Sequence, residues 1–236
     1  MSNRAMLFSP RLALLFFVGC GAGCGSNEIG DSRDVDPETI FLDYRLSGEE
    51  NHDDLTLMLQ FRYGGPNGTT LLLGPPSKVE LDGREIPGDS SNMTGAFYEV
   101  IRPLAEFTGE HTIVFTDARG RKYTERFAFR PLTMRSTLPP TFQRGDLIIE
   151  LDGLESVDYV RVILNDTSFH SDGINRVDTV KFGRVLVSAE DLQALVNGPV
   201  HLELYRERDR RLRETPREGG RFSMSYGLRR DFMLTN

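Results

Sequence analysis

From residue 40 onward, apolar side chains recur at every second position, and clusters of Gly, Pro, Asn and Asp break the run about every ten residues. Leu55, Leu57, Leu59 and Phe61 fall on one face of such a segment, as do Ile113 and Phe115. A period of two is that of a strand with one buried face. In the first half the alternation predicts strands at residues 41–46, 55–63, 69–73, 78–81, 96–101, 111–116 and 122–129. The turn signals GGPNG (64–68), LDGRE (81–85) and DARGR (117–121) separate them.

Alternation is lost over residues 131–145, which contain the pair Pro139 and Pro140 and read as a linker or a strand exchange. It resumes in strands at 146–151, 158–164, 177–182, 184–187, 200–206, 221–226 and 230–234. One helix is expected, at 189–196: Ser188 is a suitable N-cap with Asp191 three residues on, and Asn197, Gly198 and Pro199 stop it. The pattern predicts an all-β chain of two tandem β-sandwich domains, 40–131 and 132–236. Seven short strands per half is the count of an immunoglobulin-like or fibronectin-type sandwich. The stretch LAEFTGEHTIVFTDARGRKY (104–123) resembles the penultimate hairpin of bacterial immunoglobulin-like domains. The resemblance implies that His111 is a corner residue bonded back to the main chain.

The start of the chain carries a different signal. Arg4 and Arg11 precede an unbroken apolar run, LALLFFV (12–18), too short to span a bilayer and suited to a secretory leader. Behind it stand both cysteines of the protein, Cys20 and Cys24. Phe17, Val18, Gly19 and Cys20 resemble the lipobox of bacterial lipoproteins, with Gly21, Ala22, Gly23 and Cys24 as a less apt alternative frame. The resemblance implies a signal peptide at 1–19 and lipidation of Cys20 (alternatively Cys24) by diacylglycerol and an acyl chain such as palmitate. It also implies a protein tethered to the bacterial cell envelope. Because Gly21 is not an Asp of the inner-membrane retention type, the outer membrane is expected, on its periplasmic or surface face. Residues 20–39, polar and acidic, read as a flexible spacer. The whole arrangement resembles surface or periplasmic lipoproteins of Gram-negative bacteria.

Composition narrows function mainly by exclusion. A hydrophobic fraction of 39% with 27% charged residues is ordinary for a globular chain, and a net charge of -7 disfavours nucleic-acid binding. The chain has no G-x-S-x-G elbow, H-E-x-x-H or P-loop, so no catalytic residue, metal or cofactor is expected and a non-enzymatic binding or structural module is the leading reading. Its partner would be another envelope protein or a glycan. The alternative is an envelope hydrolase with a cryptic site near Asp166, His170 and Asp172. Acids around His52 (Asp43, Glu49, Glu50, Asp53 and Asp54) have the type that gathers a hard cation, but also that of a solvated hairpin tip.

Charge is unevenly shared: residues 25–131 carry net -8 and residues 132–236 net -1. Between Arg206 and Arg221 seven arginines face four acids, as in an ion-paired hairpin or an anion-binding patch. Partner contact is expected in the second domain, through Arg208, Arg210, Arg211 and Arg213 and through the loop at 165–178 with Phe169 and His170.

Overall fold

The computed structural model describes residues 28–50, 52–168 and 170–236. The leader, Cys20, Cys24 and Phe169 lie outside the described residues. Strands are the dominant element of the described residues. In the first half these are β1 (Ile29–Asp31), β2 (Ile40–Glu49), β3 (Asp54–Tyr63), β4 (Thr69–Leu72), β5 (Lys78–Leu81), β6 (Arg84–Glu85), β7 (Gly88–Ser91), β8 (Gly95–Pro103), β9 (Gly109–Thr116) and β10 (Lys122–Phe129), with the short helix α1 (Leu104–Phe107) before β9. The second half has β11 (Thr133–Met134), β12 (Thr141–Gln143), β13 (Leu147–Asp152), β14 (Val157–Asp166), β15 (Ile174–Lys181), β16 (Arg184–Val187), α2 (Ala189–Gln193), β17 (Gly198–Arg211) and β18 (Gly220–Thr235).

The alternation does what it predicts. Leu55, Leu57, Leu59 and Phe61 of β3 are fully buried, facing Val79, Ile113 and Phe115 of the four-stranded sheet β10-β9-β5-β6. Two layers packed through one apolar face each make a β-sandwich. The corner histidine also has the expected bond: His111 Nε2 lies 3.0 Å from the Phe107 carbonyl oxygen, while Nδ1 lies 2.8 Å from Asp82 Oδ2.

The two halves, however, are not separate sheets. The expected strands at 221–226 and 230–234 are one strand, β18, whose first part runs parallel to β2 from Gly220↔Leu42 to Gly227↔Glu49. Its far end pairs with β12 in the second half, from Thr141↔Met233 to Gln143↔Thr235. β17 accompanies it over fourteen residue pairs and, through Val200 to Arg206, also pairs with Val160 to Asp166 of β14. A two-stranded ribbon thus passes from one sandwich into the other, joining them in a single sheet ordered β1-β4-β3-β2-β18-β17-β14-β15-β16-β13-β11. The division at residues 131 and 132 is therefore a division of the sequence and not of the sheet. The first sandwich is completed by residues from the end of the chain. Phe222 is fully buried there, its ring 4.8 Å from that of Phe127 and 6.5 Å from that of Tyr44.

Two further expectations change. Residues 29–39 belong to the fold and not to a spacer: β1 lies parallel to β4, and Ser32 is buried with its hydroxyl accepting from the Gly74 amide. Their polar side chains are polar because they cap turns; Asp31 and Asp36 each accept from the amide two residues on. The helix at 189–196 is shorter, Ala189–Gln193, because Ala194 and Leu195 already bond three residues back, to Asp191 and Leu192. Its start is the expected capping box between Ser188 and Asp191. Arg144 closes the other end by donating to the Leu192 and Leu195 carbonyls. Ser188→Ala should lower unfolding free energy by about 1 kcal/mol, read from the urea midpoint.

Candidate functional site

The arginine-rich segment lies in the ribbon, and its charges are turned toward the first sandwich and the seam. The inward-facing members of β17 close the open side of that sandwich, where β10 is an edge strand. Arg210 pairs with Glu125 Oε1 at 2.8 Å, its guanidinium 5.1 Å from the centre of the Phe222 ring. Arg208 holds Glu155 at 2.6 Å and Asp158 at 3.0 Å. Arg206 also reaches Asp158, at 3.0 Å, and donates to the Gly153 carbonyl at 2.7 Å. The tip beyond β17 folds back onto the start of the chain, with the amides of Arg217 and Glu218 donating to the side chain and carbonyl of Glu38. Of the four arginines expected at a partner contact, Arg208 and Arg210 are thus half-buried in ion pairs, while Arg211 and Arg213 keep exposed side chains. The uneven charge of the halves has its physical reason here: the cationic ribbon is seated among acids of the anionic half and the seam.

The loop expected at 165–178 is shorter, residues 167–173, because β14 runs to Asp166 and β15 already begins at Ile174 and pairs with it; it is likewise held by local bonds. Asp166 accepts from the amides of Ser168 and Val196, and the Ser168 hydroxyl accepts from the His170 amide. Asp166 and Ser168 are therefore used to cap backbone, while His170 is exposed and bonds Ser168 through its main chain. Among the described residues of this loop the serine hydroxyls and Asp166 bond mainly to backbone, and no bond joins a serine hydroxyl to the His170 ring. Three acids of the β2–β3 hairpin are also engaged: Glu49 with Arg229 at 3.0 Å, Glu50 with Arg230 at 2.5 Å, and Asp43 with Arg45 and Arg221 at 2.7 and 2.8 Å, while Asp53 and Asp54 are exposed.

Asp43 is fully buried, and burial opposes its ionisation, but the hydrogen bonds and charges of Arg221 and Arg45 outweigh that cost and hold its carboxyl below its ordinary value. Asp158 is held low in the same way, with burial opposed by the Glu155 and Tyr159 amides and by Arg206 and Arg208. A carboxyl whose pKa is lower in the folded state stabilises above its unfolded value, about 3.9, and loses that stabilisation as pH falls through the folded one. The urea midpoint should accordingly fall steeply as pH drops below about 4. A midpoint that stays level down to pH about 2.5 would contradict these assignments.

What sequence reasoning missed lies on the open face of the continuous sheet. There the ribbon passes the β2–β3 hairpin and forms a cleft of about 620 Å3, its lining including Ser47, Glu49, His52, Asp54, Thr56, Tyr205, Ser225 and Arg229. Tyr205 forms its floor. The residue opposite it on β18 is Gly227, and a Cβ there would come within 2.4 Å of the tyrosine ring, so only glycine lets the ring lie down on the strand. The Tyr205 hydroxyl donates to Glu203 at 2.9 Å and accepts from Arg229 at 3.1 Å. Arg229 in turn bonds Glu49, which ties the floor to the hairpin. No motif announces this group, because its members come from four strands, β2, β3, β17 and β18, and meet only through the ribbon.

No family model matches the chain, and no curated protein is detectably similar to it in sequence. Among solved structures it is similar to the two-domain IG1+IG2 fragment of DIP-gamma, with 10% identity over 83% of this chain and 95% of that one and a TM-score of 0.23. It is also similar to part of a bacterial ice-binding adhesin, with 10% identity over 85% and 67% of the two chains and a TM-score of 0.25. A third is the A168–A169 segment of titin, with 11% identity over 78% and 96% and a TM-score of 0.22.

Proposed function

We propose that the protein is a lipid-anchored module of the bacterial cell envelope that binds and does not catalyse, presenting one face of its sheet to another envelope protein or a glycan. The observation that carries this reading is the ribbon. It makes two sandwiches into one continuous sheet, with a polar open face that crosses from one to the other. A rigid face with a shaped, hydrogen-bonding cleft suits recognition, which gains from groups already held in place. The lipobox resemblance supports an anchor at Cys20, or Cys24, in the outer membrane. Arg211 and Arg213, exposed at the ribbon's end, add a salt-sensitive contribution to any contact with an acidic partner.

Two measurements test this. Metabolic labelling with a fatty-acid analogue should mark the chain, and the label should vanish when Cys20 and Cys24 are both replaced. A label that survives the double replacement excludes the anchor. Crosslinking in the intact envelope should then capture a discrete protein or glycan, whereas a chain crosslinked only to itself or to nothing would refute the binding reading.

A further inference from the structure

We infer that the cleft around Tyr205 is a saccharide site that seats a neutral pyranose ring on the tyrosine face. The inference rests on the binding-module reading and names the class of ligand it would take. One side of the Tyr205 ring lies against the Gly227 backbone, and the half-buried side chain lines the cleft with the other. Its hydroxyl is pinned between Glu203 and Arg229, so the platform pays little entropy on binding. The flat C–H face of a pyranose is apolar and weakly positive, and it complements the negative face of an aromatic ring. The hydroxyls around the sugar's rim need partners of their own. Around the platform, Ser47, Thr56, Ser225 and Asp54 line the cleft. None of their side chains has a hydrogen bond to another described residue, whereas the neighbouring Glu49 is taken by Arg229.

Charge decides which sugars fit. Glu49 and Asp54 outnumber Arg229 in the lining, and Glu203 stands behind Arg229, so the cleft is net anionic and repels phosphorylated, sulfated or carboxylated glycans. At about 620 Å3 it is within the usual size of small-ligand sites. The preferred ligand is therefore a neutral oligosaccharide with one ring on Tyr205 and its hydroxyls directed to the β2–β3 hairpin.

The test uses the intact chain and saturation-transfer NMR with cellotriose, chitotriose and, as the charged comparison, glucose 6-phosphate. Saturation should pass to ring C–H protons of at least one neutral trisaccharide and not to the phosphate ester. Tyr205→Phe should keep the transfer, and Tyr205→Ala should abolish it at an unchanged Tm. Should Tyr205→Ala fail to fold, the double variant Thr56→Ala, Ser225→Ala decides. Its titration should weaken about fivefold or more, as expected for lost hydrogen bonds. No transfer to either trisaccharide, transfer to glucose 6-phosphate alone, or undiminished binding in a folded Tyr205→Ala or double variant each overturns the inference. A protein captured by crosslinking without saccharide transfer would leave the module reading standing and remove only the saccharide.

Discussion

A chain ending at residue 131 is expected not to fold, although that is where the sequence pattern places the end of a domain. Such a chain retains both layers of the first sandwich except β17 and β18, and so leaves the edge of β2 open. It also loses Phe222 from the aromatic cluster with Tyr44 and Phe127, and Arg210 from Glu125, a carboxylate that is 2% exposed on the inner side of β10. An unpaired buried charge and an open core each cost about 3–5 kcal/mol, and together with the loss of two strands they match or exceed the net stability of about 5–15 kcal/mol typical of a domain. Far-UV circular dichroism of the truncated chain should lack the β minimum, and urea should give no cooperative transition. A sharp transition would show that the first half stands alone. In the full chain, Phe222→Ala should cost about 3–5 kcal/mol, an effect on the first sandwich from a residue near the other terminus.

The second large effect is expected at the seam. Asp158 is 2% exposed, with Arg206 and Arg208 both on its carboxylate and two amides bonded to it. Asp158→Ala leaves Arg206, itself 13% exposed, without its counter-charge. The expected loss is about 3–5 kcal/mol, the usual consequence of removing one member of a buried ion pair. Glu155 touches the same Arg208 but is 65% exposed, and Glu155→Ala should cost less than about 1 kcal/mol. Equal losses in the two variants would mean that the seam does not depend on the buried carboxylate.

The strands of the first half were legible because each has one wet and one dry face, and period-two alternation reports that directly. β18 was not legible as one strand because Tyr226, Gly227 and Leu228 are all buried where it passes from one sandwich to the other, which breaks the alternation in mid-strand. Buried acids mislead in the opposite direction. Asp43, Glu125 and Asp158 read as surface positions from their chemistry, and their burial is made tolerable in large part by arginines supplied from residues 206–221, with Arg45 beside Asp43 and two amides on Asp158. The excess of arginine in that segment and the deficit of positive charge in the first half were two sides of one arrangement, visible in the sequence as separate facts. The Tyr205 cleft needed the pairing of β17 with β18 and of β18 with β2 before its members could be seen as neighbours.

The parallel pairing of β2 with β18 also fixes an order of events in time. Asp43 and Arg221 are partners 178 positions apart, which at a synthesis rate of about 5–20 residues per second separates their appearance by roughly ten to forty seconds. Throughout that interval β2 presents an unsatisfied edge, and the aromatic cluster behind it waits for Phe222. Contacts of such long range also make closure slow once both strands are present. The first half therefore cannot close its sheet before β18 has been made, and until then the open edge of β2 is one that another strand could pair with.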